Sequence, residues 1–322
     1  PDLAKVLREE LEHRSKPSAA VVFVNTPDRA RAVFDLIEHE AGKKGSPLAG
    51  ARLCLLTGRM RRREADVARR LVLHPTDGAP ADRDPSVERS DHLVVIATQT
   101  LEVGADLDFD VLVTESCGRR AFIQRLGRLN RLGKRQEAGC VIVHPGDETD
   151  WGLYETEPAA LWESLVDAAR DDDGTLDLSP AVIGKVVGIP DDLPPRTGEL
   201  LPAHLWEWAK TTAPPPSEAP VELFFEGFGT EGPRVSVCWR STRFDDGDRL
   251  VPSVSVDEAV DLPLSQARRD LEAGLGPDGV VMRLTRDRVT VEAVPVARLR
   301  PNDVVVLGVG AGFYDVHGWS PT

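Results

Sequence analysis

The stretch HLVVIATQTLEVGADLDFDVLVTESCGRRAFIQRLGRLNR, from His92 to Arg131, decides how this chain is read. His92 to Ala97 is a short apolar run rich in β-branched residues, the pattern of a strand covered on both faces. Thr98 opens a polar loop holding Gly104, Asp106 and Asp108, and Asp110 to Thr114 is a second apolar strand. The segment that closes with Gln124-Arg-Leu-Gly-Arg-Leu-Asn-Arg131 then reads as a helix. Polar loops at the carboxyl ends of strands are where open α/β sheets bind ligands. Helical residues three apart share a face, so this spacing predicts that Arg128 and Arg131 point at one anion. Arginine suits that task, with its fixed fork of donors and permanent charge. A basic helix standing alone is more often a solvated face, so its neighbours carry the argument.

Working outward, Val21-Val-Phe-Val-Asn-Thr26 is a strand ending in a polar pair, and Leu56-Thr-Gly-Arg-Met-Arg-Arg-Arg-Glu64 is a strand running through a glycine into an amphipathic helix. Apolar periodicity predicts helices over Asp2 to Arg14, Pro27 to about Glu40 and Arg62 to Leu73, and strands over Ala51 to Leu56 and Cys140 to His144. Thr76 to Ser90, rich in Asp, Pro and Ala, reads as a surface loop. Alternating strands and helices imply a mostly parallel sheet with right-handed crossovers. From Trp151 to Lys210 the pattern is helical. Thr211-Thr-Ala-Pro-Pro-Pro-Ser-Glu-Ala-Pro220 is the clearest linker. Beyond it, short β runs at Val221 to Phe225, Val235 to Trp239, Gly279 to Leu284, Arg288 to Val294 and Asp303 to Leu307 surround one helix, Pro263 to Ala273. The expected organisation is an α/β lobe over 1–150, a helical extension over 151–210, a Pro-rich linker over 211–220 and a small β-rich, barrel-like accessory domain over 221–322.

A chain of 322 residues with 41% hydrophobic content is long enough for about two globular domains. No run approaches the ~18 apolar residues of a membrane span, and no secretory leader is visible. Pro1 in place of an initiator Met suggests a piece of a longer protein. Cys54, Cys117, Cys140 and Cys238 form no CxxC pair or zinc spacing. Buried reduced thiols, and hence a cytoplasmic location, are expected. No metal site is expected: Asp91-His92 reads as a loop pair, and His144, His204 and His317 lack partners at ligand spacing. Trp206 and Trp208 read as helical packing rather than base-stacking platforms.

The net charge of −14 argues against indiscriminate polyanion binding. The basic residues are concentrated, however. Arg119 to Gln136 holds seven cations and no acid, and Arg59, Arg61, Arg62 and Arg63 form a second group. A basic cleft on an acidic body is the expectation, with solvated helix faces the equal alternative for the second group.

These residues resemble motifs of superfamily 2 helicases. Ala97 to Asp110 resembles motif V, Gln124 to Arg131 motif VI and Val21 to Thr26 motif IV, with Leu56 to Glu64 like the motif that follows it. The four occur in order over roughly Ala20 to Pro145. Within that superfamily, Thr98-Gln99, Glu102 and Ala105-Asp-Leu-Asp-Phe-Asp-Val-Leu-Val-Thr-Glu115, followed by the Gln-Arg-x-Gly-Arg-x-x-Arg pattern, are similar to the helicase-nuclease of type I CRISPR systems. Leu201-Pro-Ala-His-Leu-Trp206 and Leu299-Arg-Pro-Asn-Asp-Val-Val-Val306 resemble its I-U (or I-G) branch. The resemblance implies the second RecA-like lobe of a motor that holds ATP and Mg²⁺ between two lobes. It implies that Gln124 orients water or touches the γ-phosphate, that Arg128 and Arg131 are arginine fingers, and that Gly127 lets the helix end approach. It gives Asp106 the ribose or the coupling to the arginines, and Gly104 the turn before it. Asn25, Thr26 and Thr98 would contact the backbone of single-stranded DNA. An upstream RecA-like lobe and a CRISPR RNA-guided surveillance complex are the implied partners, with no membrane.

The chain contains neither GxxxxGK[ST] nor a DExx motif. A phosphate cradle needs consecutive backbone amides, a lysine and a hydroxyl ligand for Mg²⁺, so this chain alone is expected not to hydrolyse ATP. Two other readings fit the same residues: another superfamily 2 motor acting on RNA or in repair, and a non-catalytic nucleic-acid-binding module.

Overall fold

Five runs apolar at nearly every position, Ala19–Phe23 (β1), Arg52–Leu56 (β2), Leu93–Ala97 (β3), Val111–Glu115 (β4) and Gly139–Val143 (β5), pair as one parallel sheet in the order β2-β3-β1-β4-β5. In the computed structural model this sheet forms the centre of the N-terminal lobe of the chain. The structure describes residues 3–102, 104, 106–135, 138–144, 146, 154, 157–169, 175–188, 200–210, 233–241, 250–285 and 288–321. The reason for the unbroken apolar runs is visible in burial. Every residue of β1, β3 and β4 is buried, whereas the edge strands β2 and β5 are partly open. Alternate residues of β1 go to opposite cores. Ala20 and Val22 pack with the helices Leu3–Glu12 (α1) and Pro27–Ala41 (α2), while Val21 and Phe23 face Val72 of Arg62–Val72 (α3) and the passage carrying Leu107 and Phe109. A parallel sheet covered on both faces has this double signature.

Local signals set the helix starts. Thr26 caps α2, accepting from the Arg29 N–H, and Pro27 occupies the first turn, where its missing donor costs nothing. The helix Arg119–Leu126 (α4) follows β4 and buries Ala121 and Phe122 against Leu161 and Leu165 of Glu157–Ala169 (α5). Two short helices, Ile183–Val186 (α6) and Pro202–Trp208 (α7), complete the described part of the helical extension. Trp206 is largely exposed, against the packing expected of it. Among the described residues no helix is long and apolar enough to cross a membrane.

Among the described residues the C-terminal region is β-rich and forms an open sheet rather than a closed barrel. Arg234–Arg240 (β6), Val260–Pro263 (β7), Val280–Leu284 (β8), Val291–Pro295 (β9) and Val304–Gly308 (β10) form a second sheet in the order β7-β6-β10-β8-β9. Only the β6–β10 pair is parallel. Leu264–Leu275 (α8) covers it with Leu264, Ala267 and Leu271. Strand β7 escaped the sequence reading because it is four residues long and contains Asp261 and Pro263. The linker 211–220 and the run Val221 to Phe225 lie outside the described residues.

A last hairpin, Tyr314–Asp315 (β11) with Gly318–Trp319 (β12), fastens this region to the lobe. The Trp319 N–H donates to the Arg59 carbonyl at 2.9 Å, and the Arg61 N–H donates to the Tyr314 hydroxyl at 2.9 Å. The Arg61 guanidinium lies 4.2 Å above the Tyr314 ring. Arg31 forks onto both oxygens of Asp315. Gly318 has φ +111°, and a Cβ there would sit 2.6 Å from the Arg59 carbonyl oxygen, so the close approach requires glycine.

Candidate functional site

The site is built on the carboxyl ends of β1, β3 and β4, where polar residues replace the apolar run. Arg125 is its centre. On α4 it follows Ala121 and Phe122 by four and three positions, so it lies on the helix's buried stripe, and it is 0% exposed. A buried guanidinium must be paired and hydrogen-bonded. Nε donates to Glu102 at 2.8 Å, and Nη1 donates to the Thr114 hydroxyl at 2.9 Å and the Glu115 carbonyl at 3.3 Å. Nη2 donates to Asn25 Oδ1 at 3.1 Å and to the Tyr154 hydroxyl at 3.2 Å. Burial works against this charge, but Cys117, Tyr154 and Glu102 outweigh it and hold the arginine pKa above its ordinary value. The second buried acid, Glu115, pairs with Arg29 and accepts from the Asn25 N–H at 2.9 Å.

The arginine pair is arranged differently from the helical expectation. Helix α4 stops at Leu126, capped by Gly127. Arg128 to Asn130 then run beside Phe109: the Phe109 N–H donates to the Arg128 carbonyl at 2.8 Å and the Asn130 N–H donates to the Phe109 carbonyl at 3.1 Å. Two tight turns, with the Arg128 N–H on the Arg125 carbonyl at 2.9 Å and the Leu129 N–H on the Leu126 carbonyl at 3.0 Å, and then Asn130 at φ +46° take the chain off the helical path, so Arg128 and Arg131 do not share a helical face. Arg128 is buried, and its Nε and Nη2 hold the carbonyls of Leu101 and Glu102 at 3.0 and 2.6 Å. Burial and the neighbouring Arg131 lower its pKa, opposed by Asp106. Both arginines therefore act electrostatically on one patch, although only Arg131 is open. The Arg131 side chain is 41% exposed and pairs with Asp106, 72% exposed, at 2.6 Å.

The remaining candidate residues divide similarly. Gly104 is exposed at φ +87°, a backbone state that favours glycine, with open space around it. Gly127 is exposed at an ordinary helical φ of −63°, so its contribution is a low surface rather than an unusual turn. Gln124 is half-buried one turn before Arg128. Asn25 and Thr98 are buried; the Asn25 amide group donates to the Ser116 carbonyl at 2.8 Å. Thr26 is half-buried and is the most open of the three residues assigned to a strand.

Asp108 and Asp110 are structural. Asp108 accepts from the Arg131 N–H at 2.9 Å and from Arg135 at 3.0 Å. Asp110 receives the Ala19 N–H at 2.7 Å, Arg89 at 2.8 Å and Arg135 at 2.6 Å. The basic cluster is consequently smaller than the sequence implies, because Arg125, Arg128 and Arg135 turn inward. In the second group, Arg59, Arg61 and Arg62 pair with Asp28, Glu64 and Asp257. Sequence reasoning missed Arg125, Glu102 and Tyr154 as a unit. The signal for Arg125 was its place on the Ala121–Phe122 stripe.

An exposed arginine beside an exposed carboxylate fits one side of a nucleotide: cation to phosphate, carboxylate to sugar hydroxyl. Among the described residues no group of three or more His, Cys, Asp or Glu that could hold a metal ion occurs.

Comparison with known proteins gives a consistent result. The family described as CRISPR-associated nuclease/helicase Cas3, C-terminal, matches residues 16–134. The CRISPR-associated helicase Cas3 of Thermoproteus tenax is 34% identical over 134 residues, covering 41% of this chain and 19% of that protein. The crystal structure of T. fusca Cas3 aligns with a TM-score of 0.54 at 17% identity, covering 95% of this chain and 37% of that one. The T. fusca Cas3-AMPPNP structure gives 0.56 at 17%, with coverage of 95% and 38%. The chain thus spans well under half the length of these relatives, and the solved structures share its fold.

Proposed function

We propose, from the premise that residues 16–134 are the second RecA-like lobe of a Cas3-type superfamily 2 helicase, that this chain completes the ATP site of a single-stranded-DNA translocase of CRISPR defence. The observation that carries the reading is the exposed Arg131–Asp106 pair, 2.6 Å apart and mounted on buried wiring. When an upstream lobe presents ATP, Arg131 leaves Asp106 for the oxygens of the transferring phosphoryl group, where negative charge develops. Asp106, released, accepts from a sugar hydroxyl. Arg128 adds positive potential from behind while its donors keep the Leu101 and Glu102 carbonyls in place. Gln124 orients the attacking water from the last turn of α4, and Gly104 and Gly127 keep the surface low. Mg²⁺, bound mainly by the upstream lobe, would neutralise phosphate charge, and no step here runs through it.

Strand contact is assigned to the carboxyl edge of the sheet, with Thr26 at the surface and Asn25 and Thr98 fixing the backbone beneath it. Contacts of this kind carry no sequence information, which suits a motor that moves along any sequence. The upstream lobe and an RNA-guided surveillance complex are the proposed partners, and the chain by itself is expected to be inactive.

The test is the ATPase of the protein extended upstream to include its first lobe, with and without single-stranded DNA. Strong stimulation by DNA and a loss of about 10³-fold or more in Arg131→Ala are expected for an arginine finger. No stimulation, or an Arg131→Ala enzyme of full activity, overturns the reading. Stimulation by RNA and not by DNA reassigns the substrate.

A further inference from the structure

We infer that Tyr154, in the helical extension beyond the matched lobe, is a positioning residue for the arginine site: its phenol closes a three-membered ring with Glu102 and Arg125 that fixes the turn leading to Asp106. This rests on the proposed ATP site and deepens it.

The geometry is reciprocal. Arg125 Nη2 donates to the Tyr154 oxygen at 3.2 Å, and the Tyr154 hydroxyl donates to Glu102 Oε1 at 3.2 Å. The same Glu102 oxygen receives Arg125 Nε at 2.8 Å. The Tyr154 ring also lies 5.7 Å from the Arg125 guanidinium carbon. Burial raises the phenol's pKa, so the hydroxyl keeps its proton and stays a donor. Each of the three side chains bonds to the other two, and buried networks of this kind are sensitive to loss of one member.

The lobe leaves space for this residue. Gly118 caps the start of α4, and a Cβ there would meet the Tyr154 ring at 3.0 Å and a Glu157 oxygen at 2.3 Å. The consequence reaches the surface in two steps. Glu102 ends the turn Gln99–Leu101, whose last carbonyls Arg128 grips. Four residues later Asp106 meets Arg131. The extension thereby reports its own placement to the arginine that acts on ATP.

Two measurements test this. In the full protein with its first lobe, Tyr154→Phe keeps the ring and loses the hydroxyl. Loss of a hydrogen bond to charged groups predicts about a tenfold fall in the DNA-stimulated kcat, with KM for ATP changed less than about twofold. In the 322-residue chain itself, amide exchange of residues 99–102 should accelerate about tenfold, and Gly118→Ala, which crowds the ring, should do the same. A purely structural tyrosine would lower the thermal midpoint yet leave kcat and this local exchange unchanged, and that result overturns the inference. If Arg131→Ala is fully active, the ATP-site reading falls while the exchange result still judges the ring. If Arg131→Ala is dead and Tyr154→Phe is wild type in both measurements, only the role of Tyr154 falls.

Discussion

Arg125 and Arg131 stand six residues apart in one basic stretch, yet they occupy opposite physical regimes. Arg125 is 0% exposed, with its donors spent on Glu102, Thr114, the Glu115 carbonyl, Asn25 and Tyr154. Arg131 has a side chain 41% exposed and shares one acid, itself 72% exposed. The first is a fixed strut, desolvated and fully committed. The second is available, because exchanging an exposed carboxylate for a phosphate costs little. The contrast teaches that a run of arginines is not a basic surface: helix periodicity and the point where the helix ends decide which charges face water.

The largest test of this contrast is at the strut. Arg125→Ala leaves Glu102 buried without its cation, and breaking a buried pair from one side costs about 3–5 kcal/mol. Denaturant unfolding of the lobe should show a loss of that size. Replacing both partners with apolar residues, Arg125→Met with Glu102→Leu, removes the stranded charge and should recover a large part of it. If the single and double variants lose the same stability, the cost lies in packing and the strut reading fails.

The acids offer a second version of the comparison. Asp110 joins the Ala19 N–H, Arg89 and Arg135, whereas Asp106 meets Arg131 in solvent. Asp110→Asn strands the buried Arg89 and should cost about 2–3 kcal/mol. Asp106→Asn should cost less than ~1 kcal/mol. Equal costs for the two would mean that burial does not separate the acids of this passage.

Much of this was legible in the sequence, for a physical reason. Strands β1, β3 and β4 are covered on both faces, so apolar runs mark them without ambiguity, and Thr26–Pro27 announces a helix start. The β-rich texture of the C-terminal region was legible from the short runs at Val235 to Trp239, Gly279 to Leu284 and Asp303 to Leu307, which form strands of its sheet. The arginine geometry was not. Reading Arg128 and Arg131 as one helix face assumed that α4 continues, but the backbone of Arg128 to Asn130 pairs with Phe109 instead, a contact between segments some 20 residues apart in the chain. Periodicity holds no information about such pairing. For the same reason Tyr154 was invisible: nothing local in the extension points to Glu102. The hairpin at Tyr314 to Trp319 is two residues per strand, too short for any period to register.

Titration separates the amino edge of the first sheet from its guanidinium struts, which stay charged throughout. His92 Nδ1 accepts from the Ser18 N–H at 3.0 Å, and burial lowers the imidazole pKa below its ordinary value. The sign follows from linkage. Above the unfolded value of about 6.5 both states are neutral and the full stability is present. As pH falls below it, the unfolded chain takes up the proton first, and stability declines until the folded imidazole also protonates. The slope is bounded by one proton, about 1.4 kcal/mol per pH unit. His92→Gln should flatten this component of the stability profile between pH 6.5 and 5. An unchanged profile would assign the decline to other groups.

The smallest expected effect is the most discriminating. Arg131→Ala should alter the stability of the lobe by no more than ~1 kcal/mol, because an exposed pair gains little Coulomb energy in water and holds two side chains in place to obtain it. A double-mutant cycle with Asp106→Ala should give a coupling of the same small size that shrinks as salt is raised. On the proposed function, the same substitution removes most of the ATPase of the protein extended upstream to include its first lobe. A residue that matters to turnover and not to folding is available for chemistry, whereas one that matters to both is part of the frame. If Arg131→Ala instead costs as much as Arg125→Ala, the pair with Asp106 is a strut like the other, and the proposed ATP site loses the open cation on which it rests.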